Sequence, residues 1–136
     1  METRGLHHVV VVVRDMDLAR AHYARVFGDQ AVAQVLDAEG YRRCIVPIGA
    51  QRLELCQPVG PGDGAGQASS AFRNSLDHRG EGLHNLAIEV QDVDATWSEL
   101  EAAGVPLIGS SLSHSFFVHP RALNGALVQF LGTGQL

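Results

Sequence analysis

Two apolar runs open similar stretches of this chain. His8 and five valines to Val13 lead into Arg14-Asp15-Met16-Asp17; Asn85-Leu-Ala-Ile-Glu-Val90 leads into Gln91-Asp92-Val93-Asp94. Laid over each other at an offset of 77 residues, they share Val13/Val90, Asp15/Asp92 and Asp17/Asp94. A repeat of this length marks a duplicated structural unit. Each run reads as a buried strand ending in an acidic turn. In the second copy Val93, Trp97 and Leu100 recur at i, i+4 and i+7, which predicts a helix. Asp92 is placed to cap its start, Gly104 to end it and Pro106 to prevent its return. The first copy predicts a helix over about Asp17 to Phe27, before Gly28, with a stripe blurred by His22 and Tyr23.

A second correspondence lies downstream. Arg52-Leu-Glu54-Leu-Cys56 resembles Ala126-Leu-Val-Gln129-Phe130, with Glu54 and Gln129 offset by 75 residues. Both read as strands alternating around one polar residue. Further strands are expected at Tyr41–Ile48, Gln51–Gln57, Ser115–His119 and Ala126–Leu131. The Pro- and Gly-rich stretch from Pro58 to Gly66 reads as a flexible junction. A short helix carrying Phe72 and Leu76 follows it.

His8, Glu54, Asn85 and Gln129 interrupt the apolar pattern at matched places, two in each half. Burying such groups is costly unless they pair or bind something. Imidazole, carboxylate and amide oxygen suit a divalent ion such as Mn²⁺, Co²⁺ or Ni²⁺. They equally suit a hydrogen-bonded cluster holding no metal, and scattered spacing alone favours that structural reading.

The composition narrows the classes. At 136 residues and 14.6 kDa the chain fits one domain. With 46% hydrophobic residues it is too apolar for disorder, yet no run is long enough to cross a membrane. Fifteen acids against ten bases give a net charge of −5, which argues against a nucleic-acid partner. The start leads straight into the first strand without a signal-peptide pattern, and Cys44 and Cys56 lack paired spacing. A reduced, cytoplasmic protein is the expectation.

Particular stretches carry a family resemblance. They are Leu6-His7-His8 with its valine run, Arg14 to Asp17, Tyr23 to Gly28, Leu53 to Pro58, Gly82 to Val90, and Phe117 to Gln129. Through them nearly the whole chain resembles the vicinal oxygen chelate superfamily (glyoxalase, bleomycin-resistance and extradiol-dioxygenase relatives). Within it the methylmalonyl-CoA epimerase family is most similar. The resemblance implies an α+β fold of two βαβββ modules in one curved mixed sheet with a central cleft. It implies a single domain over 1–136, with module one at about 5–58, junction and short helix at about 59–80, and module two at about 82–132. A homodimer is also implied.

Carried over residue by residue, the family's metal ligands fall on His8, Glu54, Asn85 and Gln129, with His84 as a substitute beside Asn85. The family has His where Asn85 stands and Glu where Gln129 stands. Metal (Co, Ni, Mn or Zn) is therefore expected below one ion per chain, and no organic cofactor is expected. A carboxylate implicated in the epimerases' proton transfer falls on Arg43. A guanidinium cannot act as a base but can clamp an anion. Arg42 and Arg43 point to opposite faces, so one of them should line the cleft. Glu54 and His8 remain the candidates for acid/base work. Arg43, Asn85, Gln129, His114, His119 and Arg121 are the candidates for substrate contact. The expected function is an enzyme acting on a small anionic oxygenated or acyl substrate through an enolate or oxyanion intermediate, as an isomerase, epimerase or lyase. Ordinary methylmalonyl-CoA epimerisation is not expected. The alternative is a non-catalytic protein that binds a small molecule or sequesters an antibiotic.

Overall fold

Alternation along the strands sorts the apolar side chains into layers, and the helices cover them. The computed structural model describes residues 1–60, 67–110, 112 and 114–134. The chain order is β1 (Thr3–Val12), α1 (Met16–Phe27), β2 (Gln34–Ala38), β3 (Tyr41–Ile48), β4 (Gln51–Pro58), α2 (Gln67–Arg79), β5 (Gly82–Val90), α3 (Val93–Ala102), β6 (Leu107–Ile108), β7 (Ser115–Val118) and β8 (Val128–Gly132). Short 3₁₀ turns follow α1 and β7. Hydrogen-bonded neighbours follow the order β2-β3-β4-β1-β5-β8-β7-β6. β5 and β8 run parallel, whereas β2–β3, β3–β4, β6–β7 and β7–β8 run antiparallel. The expected α+β class and mixed sheet are found. β1, α1, β2, β3 and β4 make one βαβββ module; β5, α3, β6, β7 and β8 make the other. Residues 61–66 of the expected junction lie outside the described residues.

The chain divides into two compact units, Val9–His84 and Met1–His8 with Asn85–Leu136. In the Val9–His84 unit, Val11, Val13, Cys44, Val46 and Leu55 pack with Met16 and Ala19 of α1. Val10, Val12 and Cys56 pack with Phe72 and Leu76 of α2. Successive residues of one strand thus feed two different cores. Asp15 starts α1 by accepting from the Leu18 amide, and Gly28 ends it at φ 96°. The helix expected to be short, α2, runs for 13 residues. Its buried stripe is Ser69, Phe72 and Leu76, with Ser75 also buried. Two serines in buried positions hid its length from the apolar pattern.

In the other unit, Val90, Phe116, Val118, Val128 and Phe130 form a core covered by Val93, Trp97 and Leu100 of α3. Trp97 meets Phe116 edge to face at 5.1 Å. Asp92 caps α3 by accepting from the Ala95 amide at 2.9 Å. β8 begins at Val128, two residues later than expected, because the chain first turns through Asn124 at φ 56° and Gly125 at φ 97°. Among the described residues no helix is long and apolar enough to cross a membrane.

Candidate active site

Strand register decides which polar side chains can meet. On β3 and β4, Arg43 stands opposite Cys56 and Ile45 opposite Glu54. Arg43 and Glu54 are therefore diagonal neighbours on one face. Arg43 Nη1 donates to Glu54 Oε1 at 3.3 Å, with side chains 18% and 4% exposed. This contact is single and long, not the short forked pairing a guanidinium and carboxylate can reach. Arg43 Nε is buried and has no acceptor among the described residues. Arg42 takes a different partner, Asp37 of β2, at 3.4 Å.

Tyr41 shares the Arg43 face, and its ring meets Phe72 edge-on at 5.3 Å. Burial raises the Tyr41 phenol above its ordinary value; Cys56 and Glu54 add to the rise and Arg43 opposes it. Burial also pushes up the Cys56 thiol, helped by Glu54 and opposed by Arg43. A thiol held protonated in this way is no nucleophile.

In the second unit the register places Ala87 and Phe117 opposite Gln129. Asn85, Gln129 and Ser115 then share one face, turned from the Phe116 core. Asn85 Nδ2 donates to Gln129 Oε1 at 3.3 Å, and Gln129 Nε2 donates to Ser115 Oγ at 3.3 Å. Ser115 was not among the sequence candidates. Its signal was strand phase, an even number of residues from Phe117, which becomes readable once the pairing with β8 is known.

His8 is buried, and its Nδ1 lies 2.8 Å from Nδ1 of His7. One ring must carry the proton at that nitrogen and the other the lone pair. His84 is buried with its ring edge-on to Phe72 at 5.0 Å, the ring that also meets Tyr41. His84 and Asn85 thus engage different partners. His119 Nδ1 accepts from the Arg121 amide at 3.1 Å and caps the turn Pro120–Leu123. His114 and Arg121 are exposed. The contacts described therefore join Arg43 to Glu54 and Asn85 to Gln129, while His114, His119 and Arg121 occupy a bend, a cap and the surface. Among the described residues no three His, Cys, Asp or Glu side chains gather into a metal-holding group. A hollow of about 250 Å³ lies on the α1 side, against Val11, Val13, Ala19, His22 and Tyr23, and none of the candidate residues lines it.

The family profile of the Glyoxalase/Bleomycin resistance protein/Dioxygenase superfamily matches residues 7–116. The chain belongs to this superfamily. It is 28% identical over 132 residues to the ethylmalonyl-CoA/methylmalonyl-CoA epimerase of Cereibacter sphaeroides, covering 91% of this chain and 94% of the relative. Identity to human mitochondrial methylmalonyl-CoA epimerase is also 28% over 132 residues, covering 91% of this chain and 71% of that protein. The structure of the Mycobacterium tuberculosis methylmalonyl-CoA epimerase matches with a TM-score of 0.75 at 29% identity, covering 98% of this chain and 90% of that one. A Streptomyces coelicolor methylmalonyl-CoA epimerase variant, in complex with 2-nitronate-propionyl-CoA, matches with a TM-score of 0.77. At 24% identity, over 98% of this chain and 100% of that one, it bears on the fold alone. The relatives matched at 28–29% identity are thus epimerases of acyl-CoA esters.

Proposed function

We propose that this superfamily member is an enzyme acting on a small anionic oxygenated or acyl substrate through an enolate- or oxyanion-type intermediate, in an isomerase, epimerase or lyase reaction. The observation that carries the reading is the Arg43–Glu54 pair, a permanent cation and a carboxylate side by side on a buried strand face. A guanidinium is no proton acceptor, so the role of Arg43 is to hold an anionic group. Its Nε is buried without an acceptor among the described residues, and Nε with Nη2 is the edge that a carboxylate takes in bidentate fashion. Glu54 is the base: it takes a proton from the carbon beside a carbonyl and returns it. Return to a neighbouring atom isomerises the substrate; inversion of the centre needs the proton delivered to the opposite face, by a second acid or after the intermediate has turned over against Glu54.

A divalent ion fits the family's ligand positions poorly in this chain. The set contains one imidazole, one carboxylate and two amides. Glu54 lies against a fixed cation, and the Gln129 amide oxygen already accepts from Asn85. The family's set, with His in place of Asn85 and Glu in place of Gln129, has one more imidazole and one more negative charge. No step of the proposed reaction runs through a metal.

Solvent deuterium incorporation tests the reading. The full chain is incubated in D₂O with methylmalonyl-CoA and with a panel of small anionic carbonyl compounds. Exchange at the carbon acid of at least one compound is expected, with loss in Glu54→Gln. Methylmalonyl-CoA itself should exchange slowly, because the family resemblance puts Arg43 where the epimerases carry a proton-transfer carboxylate. Saturable binding with no exchange in any compound would overturn the enzyme reading in favour of a small-molecule-binding protein of the bleomycin-resistance type.

A further inference from the structure

The polar face of the Asn85–Leu136 unit has a direction built into its hydrogen bonds. β5 contributes Asn85 and Ala87 to this face, β8 Gln129 and Leu131, and β7 Ser115 and Phe117. Gln129 donates through Nε2 to Ser115 and accepts through Oε1 from Asn85, so its amide is engaged at both ends. The Ser115 hydroxyl accepts from the NH₂ group, and in that arrangement the carbonyl oxygen faces Asn85. A hydroxyl that has accepted one bond still carries a proton to donate. The three side chains hold no formal charge. Glu89, on the same face, stands four residues along β5 from Asn85, roughly 13 Å of strand. A divalent cation requires several lone pairs pointing at one place, whereas an anionic oxygen requires donors.

We propose that Ser115 is a positioning residue that locks the Gln129 amide. The relay from Asn85 through Gln129 to Ser115 then takes the anionic oxygen of a carboxylate or enolate in place of a divalent cation. This deepens the reading of an anionic substrate and rests on it. Without the Ser115 hydroxyl the Gln129 NH₂ group loses its acceptor. Threonine at the same position keeps that partner. Glutamate at position 129 would replace the neutral amide with a carboxylate, repelling an anion and supplying the lone pairs a cation needs.

The test reads binding, with no need for turnover. The ¹⁵N-labelled full chain is titrated separately with sodium acetate and with zinc chloride, and the side-chain amide signals of Asn85 and Gln129 are followed. Signals are identified from Asn85→Ala and Gln129→Met, and thermal melts confirm that each variant folds. Acetate should shift both amides saturably, and equimolar zinc should leave them in place. Ser115→Ala should move the Gln129 signals and weaken the acetate response about tenfold, the effect of one hydrogen bond to a charged group. Ser115→Thr should keep acetate binding within about twofold of wild type, since its hydroxyl is retained. Gln129→Glu should lose the acetate response and gain one to zinc. A stoichiometric zinc shift in the wild type, or equal acetate affinities in Ser115→Ala and Ser115→Thr, would overturn the proposal. If deuterium exchange fails while this pattern holds, only the enzyme reading falls. If exchange persists undiminished in Ser115→Ala, only the relay falls.

Discussion

In the proposed reaction Arg43 is the residue on which the substrate's charge turns. Its guanidinium is mostly buried and has one 3.3 Å contact to Glu54, whereas Arg42 meets Asp37 with 37% of its side chain exposed. The desolvation penalty of a buried ion is several kcal/mol, and one long contact offsets part of it. A bound carboxylate would offset more. Arg43→Ala should therefore weaken binding of the anionic substrate by about 2–5 kcal/mol, the usual penalty for truncating one member of a buried charge pair. Arg43→Lys should restore only part, because an ammonium lacks the planar fork. Arg42→Ala should leave affinity unchanged, as an exposed pair contributes little. Calorimetry on the three variants checks this, and equal affinities for wild type and Arg43→Ala would remove Arg43 from any binding role. The opposite facing of Arg42 and Arg43 was legible from strand parity alone. Ser115 was not legible, because its partner Gln129 lies 14 residues away and a serine in a Ser-rich loop gives no signal of its own.

At the scale of elements, local chemistry predicted the helices well where a cap and a stripe agreed. Asp92 with Val93, Trp97 and Leu100 located α3, and the first helix, expected over about Asp17 to Phe27, runs Met16–Phe27 with Asp15 as its cap. The two strands left out of the sequence reading, β2 and β6, are five and two residues long. Their hydrogen bonds go to β3 and β7, so they exist as strands through a partner rather than through their own pattern. The caps are expected to contribute measurably. Asp92→Ala removes the acceptor of the Ala95 amide, and Asp15→Ala that of the Leu18 amide. Each should cost about 1 kcal/mol of stability. Asn replacements should retain most of it, since Asn caps as well as Asp does. Urea denaturation of the four variants measures this directly. An Asp92→Ala midpoint equal to wild type would mean that the α3 amides find other partners.

At the scale of the whole molecule, ionisation is displaced at weak acids that are buried or half-buried in the Val9–His84 unit. Cys44 and Cys56 are 0% and 2% exposed, and burial raises both thiols above their ordinary 9.0. Burial likewise raises the phenols of Tyr23 and Tyr41 above 10.0. A raised value in the folded state means that the native chain holds protons which the unfolded chain releases. The stabilisation is then complete below about pH 9, where both states are protonated, and declines as pH rises further. Above that point each thiol that ionises only on unfolding lowers stability by about 1.4 kcal/mol per pH unit, and the phenols join from about pH 10. Urea midpoints should accordingly be flat between pH 7 and 8.5 and fall steeply from pH 9 to 10.5, with an unchanged m-value. Cys56→Ala removes one of the two thiols and should make that alkaline decline shallower, whatever it does to stability at pH 7. The same burial should keep both thiols unreactive toward a maleimide in the native protein at pH 8, so that labelling tracks unfolding. A midpoint that stays level to pH 10.5, or Cys56→Ala with the full wild-type slope, would show that these thiols ionise as readily in the folded chain as in the unfolded one.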